Sequence, residues 1–399
     1  MGWGRRVAGC RSLRFVGRTA LDGTPCLEEA KVHDSLKYTI STVILGVTAS
    51  GLLMGGHYVW LGLGVLVALL CFDAFLEPDH SVRDTTHLLA YDIVVSINLA
   101  LGFGLILMYA WLAGHDRFVG ADALGAFLTM MFTQFVVTAP ALHELFHREN
   151  MILRWYGRIG QVMIFDPWRE ITHVVTHHMR VSTPDDPDYA RRGDTVYGHV
   201  VRTLVRQVIE SYHLERTMWT KRGRRWFDPR NSWVHRAAML LAFSALLFAC
   251  GGAKGMLLAI GVCLAGPRSF LEVFNYCNHY GLISATPGRF EKRHTWNHLT
   301  PLVRILALEI TNHAGHHEDS YKPFYLLVPD RTGPKQPQFL MCVLLALVPP
   351  LWFATIKPLL RDWDERYADP QEREIARAEN ARAGWHDLNQ PLPLAGLPA

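Results

Sequence analysis

The stretch HELFH, residues 143–147, carries two histidines four positions apart. On an α-helix, residues three or four apart lie on the same face, so the two imidazoles can reach one metal ion. Zinc proteases use the same His-Glu-x-x-His spacing, with the glutamate as general base. The motif therefore predicts a metal site, and a membrane zinc protease is one hypothesis for it.

Seven further histidines fall into three other groups, two with ligand-like spacing and one that holds His279 alone, just after the apolar run 255–274. A catalytic zinc takes three protein ligands and one open position, so a protease would leave six of the nine histidines without a role. Nine imidazoles suit two metal ions, and imidazole favours iron, copper, zinc or nickel over magnesium or calcium. The predicted metal ligands are His143, His147, His173, His177, His178, His279, His313, His316 and His317.

Acidic residues beside these groups are candidates for supporting or catalytic roles. Glu309 precedes His313 by four positions, where a continuous helix would place its carboxylate against that ring. Asp186 follows the second histidine group through a proline turn. We take Glu309 and Asp186 as the candidate catalytic residues. Glu144 points about 100° away from His143 on a helix, toward either a ligand on a facing segment or solvent.

Histidines outside the four groups are isolated, and we expect them to be surface or packed residues. His115, in a short polar link, is an example. His294 and His298 are again four positions apart. This pair is a candidate for a ligand or for a hydrogen bond to a ligand ring.

Half of the 399 residues are hydrophobic, and they concentrate in long runs. Most of these runs approach the ~20 residues that span a bilayer core, and they predict transmembrane helices. A further run, 339–355, contains Pro349 and Pro350 and predicts an interfacial or protein-packed helix. The six predicted transmembrane runs are 38–54, 58–76, 88–112, 121–142, 237–250 and 255–274.

Arginines and lysines predict the orientation of these helices. They are abundant before the first run and in the polar block after the fourth, which the positive-inside rule places in the cytoplasm. We therefore predict a cytoplasmic tail over 1–37, membrane helices over 38–145 and 236–275, and cytoplasmic segments over 146–235 and 276–399. The predicted fold is an all-α membrane protein with a cytoplasmic helical cap that carries the histidine-rich site.

Several sequence features are missing. No G-x-G-x-x-G or Walker loop and no C-x-x-C pair occurs, which disfavours a nucleotide site and a fused iron–sulfur or rubredoxin module. No apolar core follows the N-terminal arginines before residue 38, so we expect no cleavable signal peptide. The net charge of +4 is attributed to membrane topology rather than nucleic-acid binding. Any electrons for the metal chemistry must come from another chain.

The sequence resembles the integral-membrane non-haem di-iron family of alkane and xylene monooxygenases, a distant relative of the fatty-acid desaturases. The matching motifs are HELFHR, DPWREITHVVTHH with TPDDPDYARRGDTVYGHV shortly after it, FNYCNHYGL and EITNHAGHH. The resemblance implies six membrane helices, O2-dependent hydroxylation, and two iron ions (Fe2+) bound by the nine histidines. It also implies a bacterial inner-membrane location with a cytoplasmic site, and a separate electron donor, either an NADH-dependent flavin/iron–sulfur reductase or a rubredoxin.

Departures from the alkane 1-monooxygenase pattern indicate which subgroup of this family the sequence resembles. That type has an acidic residue at the position of Asn278 and a Gln-Arg pair at Thr311 and Asn312. The EITNH form and the tail LRDWDERYADPQEREIARAENARAGW instead resemble the xylene monooxygenases. We expect hydroxylation of a terminal or benzylic methyl group of an apolar hydrocarbon, such as toluene or xylene, to the primary alcohol. The alternatives on the same iron site are alkane 1-hydroxylation and desaturation or oxidative decarboxylation of fatty acyl chains.

The expected substrate partitions into lipid, so we predict that it enters laterally between the spans. Aromatic residues on the inner faces, such as Trp60, Phe132 and Phe135, are candidates for lining that path. A membrane metal carrier is disfavoured, because the ligands of a carrier would lie within the membrane spans, along the path of the ion.

Overall fold

The computed structural model describes residues 33–389, and this part of the chain is built from helices. Its only β-pairing is one isolated bridge between Asn297 and Lys335. The all-α prediction is thus confirmed for the described residues. Most of the predicted tail 1–37 lies outside them.

Sixteen α-helices follow one another along the described chain. Three π-helical turns, at Gln134–Thr138, His173–His177 and Leu264–Arg268, lie between consecutive helices. The α-helices are α1 (Thr39–Met54), α2 (Leu61–Asp73), α3 (Leu88–Gly114), α4 (Gly120–Thr133), α5 (Ala139–Phe146), α6 (Met151–Gly160), α7 (Arg169–Thr172), α8 (His178–Arg180), α9 (Val196–Lys221), α10 (Ser232–Cys263), α11 (Ser269–His279), α12 (Pro301–Leu306), α13 (His313–Glu318), α14 (Phe339–Ala346), α15 (Pro349–Arg366) and α16 (Pro370–Arg382).

Five helical segments of the described chain are long and apolar enough to cross a membrane. Their bounds agree with the apolar runs of the sequence, except that the last segment joins two runs. The five are Asp34–Met54, Gly56–Asp73, Leu88–Gly114, Gly120–Phe146 and Ser232–His279.

The last segment folds back on itself. A straight α-helix of its 48 residues would be about 72 Å long. Both of its ends nevertheless lie beside the histidine groups: Arg236 near its start pairs with Glu170 at 2.7 Å, and His279 ends it. The reversal falls at Gly251 and Gly252, which have non-helical backbone angles, with φ of +59° at Gly252. The runs 237–250 and 255–274 are therefore the two arms of a hairpin, which favours the six predicted crossings.

Close packing of glycine fixes the position of this hairpin. A Cβ at Gly251 or Gly255 would collide with the carbonyl oxygen of Ala110 in α3. Only a residue without a side chain allows the backbones to approach so closely. The hairpin therefore packs tightly against the far end of α3, and its second arm returns along α4, where Gly261 faces Phe127.

The predicted interfacial helix 339–355 is two helices. Pro349 and Pro350 occupy the first turn of α15, where a missing N–H donor costs nothing. The buried face of α15, including Trp352, Ile356 and Trp363, belongs to a hydrophobic core that also takes in one face of α14. The other face of α14 is apolar and exposed.

Candidate metal centre

The nine predicted ligands converge at one level of the fold, where several helices end. Neighbouring imidazole rings lie with their centroids 4.4–6.1 Å apart. Eight of the nine are buried, and His178 is partly exposed. The structure therefore brings together every predicted ligand, from four separate stretches of chain.

The rings divide into two groups of four. Within each group, one ligand atom per residue lies within 4.8 Å of the others. His178 lies between the groups, with its ring centroid 4.7 Å from His316 and 4.4 Å from His317. Group A is His143, His147, His173 and His316, and group B is His177, His279, His313 and His317.

Ring nitrogens inside each group point at one another. In group A, Nε2 of His143 and Nε2 of His173 are 2.8 Å apart. In group B, the Nε2 atoms of His279 and His313 are also 2.8 Å apart. Two imidazoles bound at right angles to one metal at ~2.0–2.1 Å would have nitrogens roughly 3 Å apart. The spacing in both groups fits a shared metal ion.

Unpaired nitrogens give a second test of that fit. Buried polar atoms nearly always have hydrogen-bond partners, because an unpaired one is costly. Four buried Nε2 atoms of these rings have none. They belong to His147, His177, His178 and His316. Convergent, unpaired imidazole nitrogens are suited to bind metal ions.

Three of the four group B rings are oriented by hydrogen bonds from their Nδ1 atoms to groups outside the metal site. Nδ1 of His177 donates to the Asp186 carboxylate at 2.8 Å, and Nδ1 of His279 donates to the carbonyl oxygen of His294 at 3.1 Å. His313 uses its Nδ1 in the same way toward a backbone carbonyl one turn earlier, at 3.1 Å. A donating Nδ1–H leaves the Nε2 lone pair free for a metal and fixes the ring's orientation.

Ionisation sets His177 apart from the neighbouring rings. Burial lowers the pKa of His147 and of His173 well below the ordinary value, so both stay neutral. Burial also lowers the pKa of His177, but the Asp186 and Asp188 carboxylates outweigh it and raise the pKa above its ordinary value. The carboxylates thus make the His177 ring more basic, as expected for a ring with a carboxylate partner.

A buried ion-pair network borders His177 of group B and, through Asp188, His173 of group A. Asp188 is 3.9 Å from Nδ1 of His177 and 4.0 Å from the Arg169 guanidinium. Glu272 accepts from Arg169 at 2.5 Å and from Arg268 at 2.6 Å. Sequence reasoning missed this network. The alternating acids of the PDDPD stretch were the available signal for Asp188.

The candidate catalytic residue Asp186 lies at the site, where it supports His177. The expected contact of Glu309 with His313 is wrong. Glu309 has a positive φ of 59°, so no continuous helix places it under that ring. Its carboxylate oxygens instead accept from Tyr38 Oη (2.6 Å), Arg83 Nε (2.8 Å) and Arg304 Nε (2.5 Å).

Glu144 takes neither of its two expected positions. Its carboxylate is buried, pairs with the Arg148 guanidinium at 2.9 Å and accepts from the Phe324 N–H at 3.2 Å. It therefore anchors the loop after α13 and contacts neither solvent nor a predicted ligand.

The pair His294 and His298 splits into two roles. The ring of His294 bonds the Glu372 carboxylate at 2.7 Å, and its backbone carbonyl supports His279. His298 lies outside both groups and bonds the carbonyl of Pro337 at 2.9 Å. Helix α16, which carries Glu372, thus supports group B through His294.

A π-helical turn carries His173 and His177. The two rings lie 5.1 Å apart and only 21° from parallel, yet His173 belongs to group A and His177 to group B. A π-turn inserts one residue into the helix and is frequent at functional sites. Here it lets one short segment serve both groups.

An apolar cavity of about 100 Å³ reaches group A at His143. Phe132 and Phe135 line it, as the sequence suggested. Trp60 lies elsewhere, packed against Gly125 in α4. Besides His143, the one polar wall residue is Thr311, whose buried Oγ1 has no hydrogen-bond partner.

Comparison with known proteins agrees with this site. The family model described as fatty acid desaturase matches residues 117–332. The xylene/toluene monooxygenase hydroxylase component of Pseudomonas putida is 37% identical over 88% of this chain and 96% of its own length. Alkane 1-monooxygenase 1 of Pseudomonas aeruginosa is 28% identical over 75% of this chain and 81% of its own. Alkane 1-monooxygenase of Ectopseudomonas oleovorans is 25% identical over 76% and 77%. The chain is therefore a multi-pass membrane protein that belongs to the fatty acid desaturase family, among its membrane monooxygenases.

Proposed function

We propose that this chain hydroxylates a methyl group of an apolar hydrocarbon to the primary alcohol, using O2 and electrons from a separate protein. The observation that carries the proposal is the pair of four-histidine groups, one of which borders an apolar cavity. Groups A and B would hold two iron ions, with His178 between them. When bound, the irons would supply O2 activation and oxidation of a strong C–H bond.

An alkylated aromatic ring, such as toluene or xylene, is the substrate class we propose. The cavity of about 100 Å³ is of the order of the ~150 Å³ that admits benzene in an engineered protein. Five phenylalanine side chains of its wall suit a ring by stacking and edge contacts. They are Phe132, Phe135, Phe270, Phe274 and Phe339. The Pseudomonas putida relative, named for xylene and toluene, supports the same class.

Alkane 1-hydroxylation is the second candidate, because several relatives carry that name. It would place a linear chain in the same cavity. The small volume of the cavity, about 100 Å³, favours the ring.

We propose a role for each type of residue in the cavity wall. The phenylalanines exclude water from the reacting methyl group, which prevents side reactions. His143 marks the end at which the methyl group must lie. The Thr311 hydroxyl can accept a hydrogen bond from the new alcohol, since it is the free polar group in the wall.

Substrate entry is proposed to be lateral. About half of the cavity wall comes from the candidate membrane segments, and several of these wall residues are only partly buried, including Leu70, Phe132 and Phe270. These residues belong to helices that face lipid in a six-crossing arrangement. An apolar ring dissolved in the bilayer would reach them without crossing water.

Electrons are proposed to enter on the opposite side of the groups. His178 is the partly exposed ring of the nine, and Val175 and Met179 beside it are exposed. We propose that a flavin/iron–sulfur reductase or a rubredoxin docks there. By the positive-inside rule, this side faces the cytoplasm of an inner membrane, with the segments 146–235 and 276–399 on it.

The deciding experiment expresses the chain with such a reductase and supplies toluene, xylene, octane and a fatty acid. We expect benzyl alcohols from the arenes and close to two irons per purified chain. A His143→Ala variant should make no product. Conversion of octane alone, or of fatty acids to alkenes, would contradict the substrate class. One zinc per chain without product would contradict the reaction itself.

A further inference from the structure

Helix α9 is amphipathic in the reverse sense to a soluble surface helix, which buries its apolar face. One row of residues, four apart and hence on one face, is apolar and exposed. We call it the apolar row, and it is Tyr197, Val201, Val205 and Ile209. A second row with the same spacing is polar and buried. It is His199, Thr203, Gln207 and Ser211.

The buried polar row fixes the rotation of α9. Gln207 accepts from the Arg268 guanidinium at 2.7 Å and donates to Glu272 at 3.2 Å. Ser211 accepts from the indole N–H of Trp233 at 3.3 Å. Turning the apolar row inward would break these buried hydrogen bonds. They therefore fix the rotation of α9 that leaves Val201 66% exposed.

Helix α9 contacts one of the candidate membrane spans on its buried side and the chain after α14 at its start. His199 of α9 contacts Tyr276, near the end of the last candidate span, with ring centroids 5.4 Å apart. The Tyr197 hydroxyl donates to the Leu347 carbonyl at 2.7 Å, directly after α14. Helix α14 exposes Met341 and Leu344. The apolar row is therefore continuous with another exposed apolar face.

Charge and aromatic residues around α9 match a membrane surface. Residues 196–231 contain eight Lys and Arg against three Asp and Glu. The loop that joins α9 to the last span holds Phe227, 81% exposed, close in sequence to Arg224, Arg225 and Arg230. Basic and aromatic side chains together are typical of segments at the lipid headgroup level.

We infer that α9 and its loop lie in the bilayer interface, with the apolar row in the acyl-chain boundary and the arginines among the headgroups. The occupant of this exposed face is lipid rather than water, a second copy or the electron donor. Part of the polar block between the fourth and fifth apolar runs then lies on the membrane surface, next to the end of the last span. This inference does not depend on the reaction or its substrate.

The test places one nitroxide spin label on the full chain in phosphatidylcholine/phosphatidylglycerol liposomes. Cys10, Cys26, Cys71 and Cys250 are first replaced by serine so that only the new cysteine reacts. The labelled variants are Val201→Cys on the apolar row and Thr217→Cys, about 160° around the same helix, as the matched control. Collision of each label with O2, which concentrates in lipid, is compared with that of a water-soluble nickel chelate.

At Val201 we expect a ratio of O2 to nickel accessibility several-fold higher than at Thr217. Equal, water-like ratios at both positions would overturn the inference and leave α9 in the aqueous phase. A Val201 label protected from both reagents would also overturn it, because protein would then cover the row. Dimer crosslinks through the Val201→Cys thiol would identify that protein as a second copy.

Discussion

Groups A and B contain the same number of histidines but differ in what holds them. In group B, the rings of His177, His279 and His313 each donate Nδ1–H to a carboxylate or backbone carbonyl. In group A, the buried Nδ1 atom of His173 has no hydrogen-bond partner, and in group B the same is true of His317. Outer-shell hydrogen bonds orient metal ligands and strengthen them. Three of the four group B rings are therefore oriented by the protein, and group A, where no ring donates to a carboxylate, depends more on the metal itself.

The surroundings of the two groups also differ, in polarity. Beside His177 of group B lies the buried network of Asp188, Glu272, Arg169 and Arg268. Beside group A lies the apolar cavity, which reaches His143. The cavity therefore lies beside the group with fewer outer hydrogen bonds, and Phe274 of its wall also contacts His313 of group B, with ring centroids 5.5 Å apart.

Loss of a group B ring is expected to have the largest effect. His279→Ala removes a buried ligand and should abolish product formation and lower the metal content by about one ion per chain. Metal analysis and a product assay measure both. The control is His115→Ala in the exposed link between α3 and α4, which should change neither. Full activity of His279→Ala would remove that residue from the site.

Weakening the outer support of group B should have the next largest effect. Asp186→Asn keeps the size of the side chain but removes the charge that orients His177, and we expect a loss of roughly 10–100-fold in metal affinity or activity. The matched control is Asp185→Asn, because Asp185 is exposed. Equal behaviour of the two variants would mean that Asp186 only shapes its turn.

Reshaping the cavity should change selectivity without changing metal content. Phe270 contacts both Phe132 and Phe135 at 5.3 and 5.1 Å between centroids. Phe270→Ala enlarges the cavity, so the ratio of kcat/KM for a bulkier methylnaphthalene to that for toluene should rise about tenfold. Phe248→Ala, on an exposed site of α10, is the control. An unchanged ratio would place the substrate elsewhere.

Metal removal compares the groups directly. An iron chelator should remove the metal in two phases, with group A losing its ion several-fold faster. In Asp186→Asn, the slow phase should accelerate and the fast phase should stay unchanged. A single phase in the unmodified protein would show that the two groups bind metal with equal strength.

The smallest expected effect is on the pH dependence of folding stability, and it comes from His298, outside both groups. Burial lowers the pKa of His298 to about 4, below its ordinary value of 6.5. The folded protein therefore binds fewer protons than the unfolded chain, so stability present above pH 6.5 declines as the pH falls toward 4. The loss is about 2 kcal/mol at pH 5. His298→Gln should flatten this part of the dependence of Tm on pH, and parallel curves would contradict it.

Local periodicity carried much of the prediction. The apolar runs located the five membrane segments, and the double proline located the break between α14 and α15. Histidine spacing on one helical face selected eight of the converging rings, and His279 was selected by its place just after the run 255–274. The same local rule failed for Glu309, because a positive φ breaks the helix on which the rule depends.

Long-range contacts decided the rest. Sequence analysis predicted two metal ions but not which rings share one. The π-turn separates His173 from His177, and Asp186 and Asp188 reach that ring only after the chain folds back.

The sequence by itself determined which residues can bind metal and which segments can enter a membrane, because side-chain chemistry and helical periodicity are local. The tertiary structure alone decided the four-plus-four division of the histidines, the unequal support of groups A and B, and the outward apolar row of α9. Each of these depends on hydrogen bonds and packing between residues distant in sequence, whose partners no local pattern identifies.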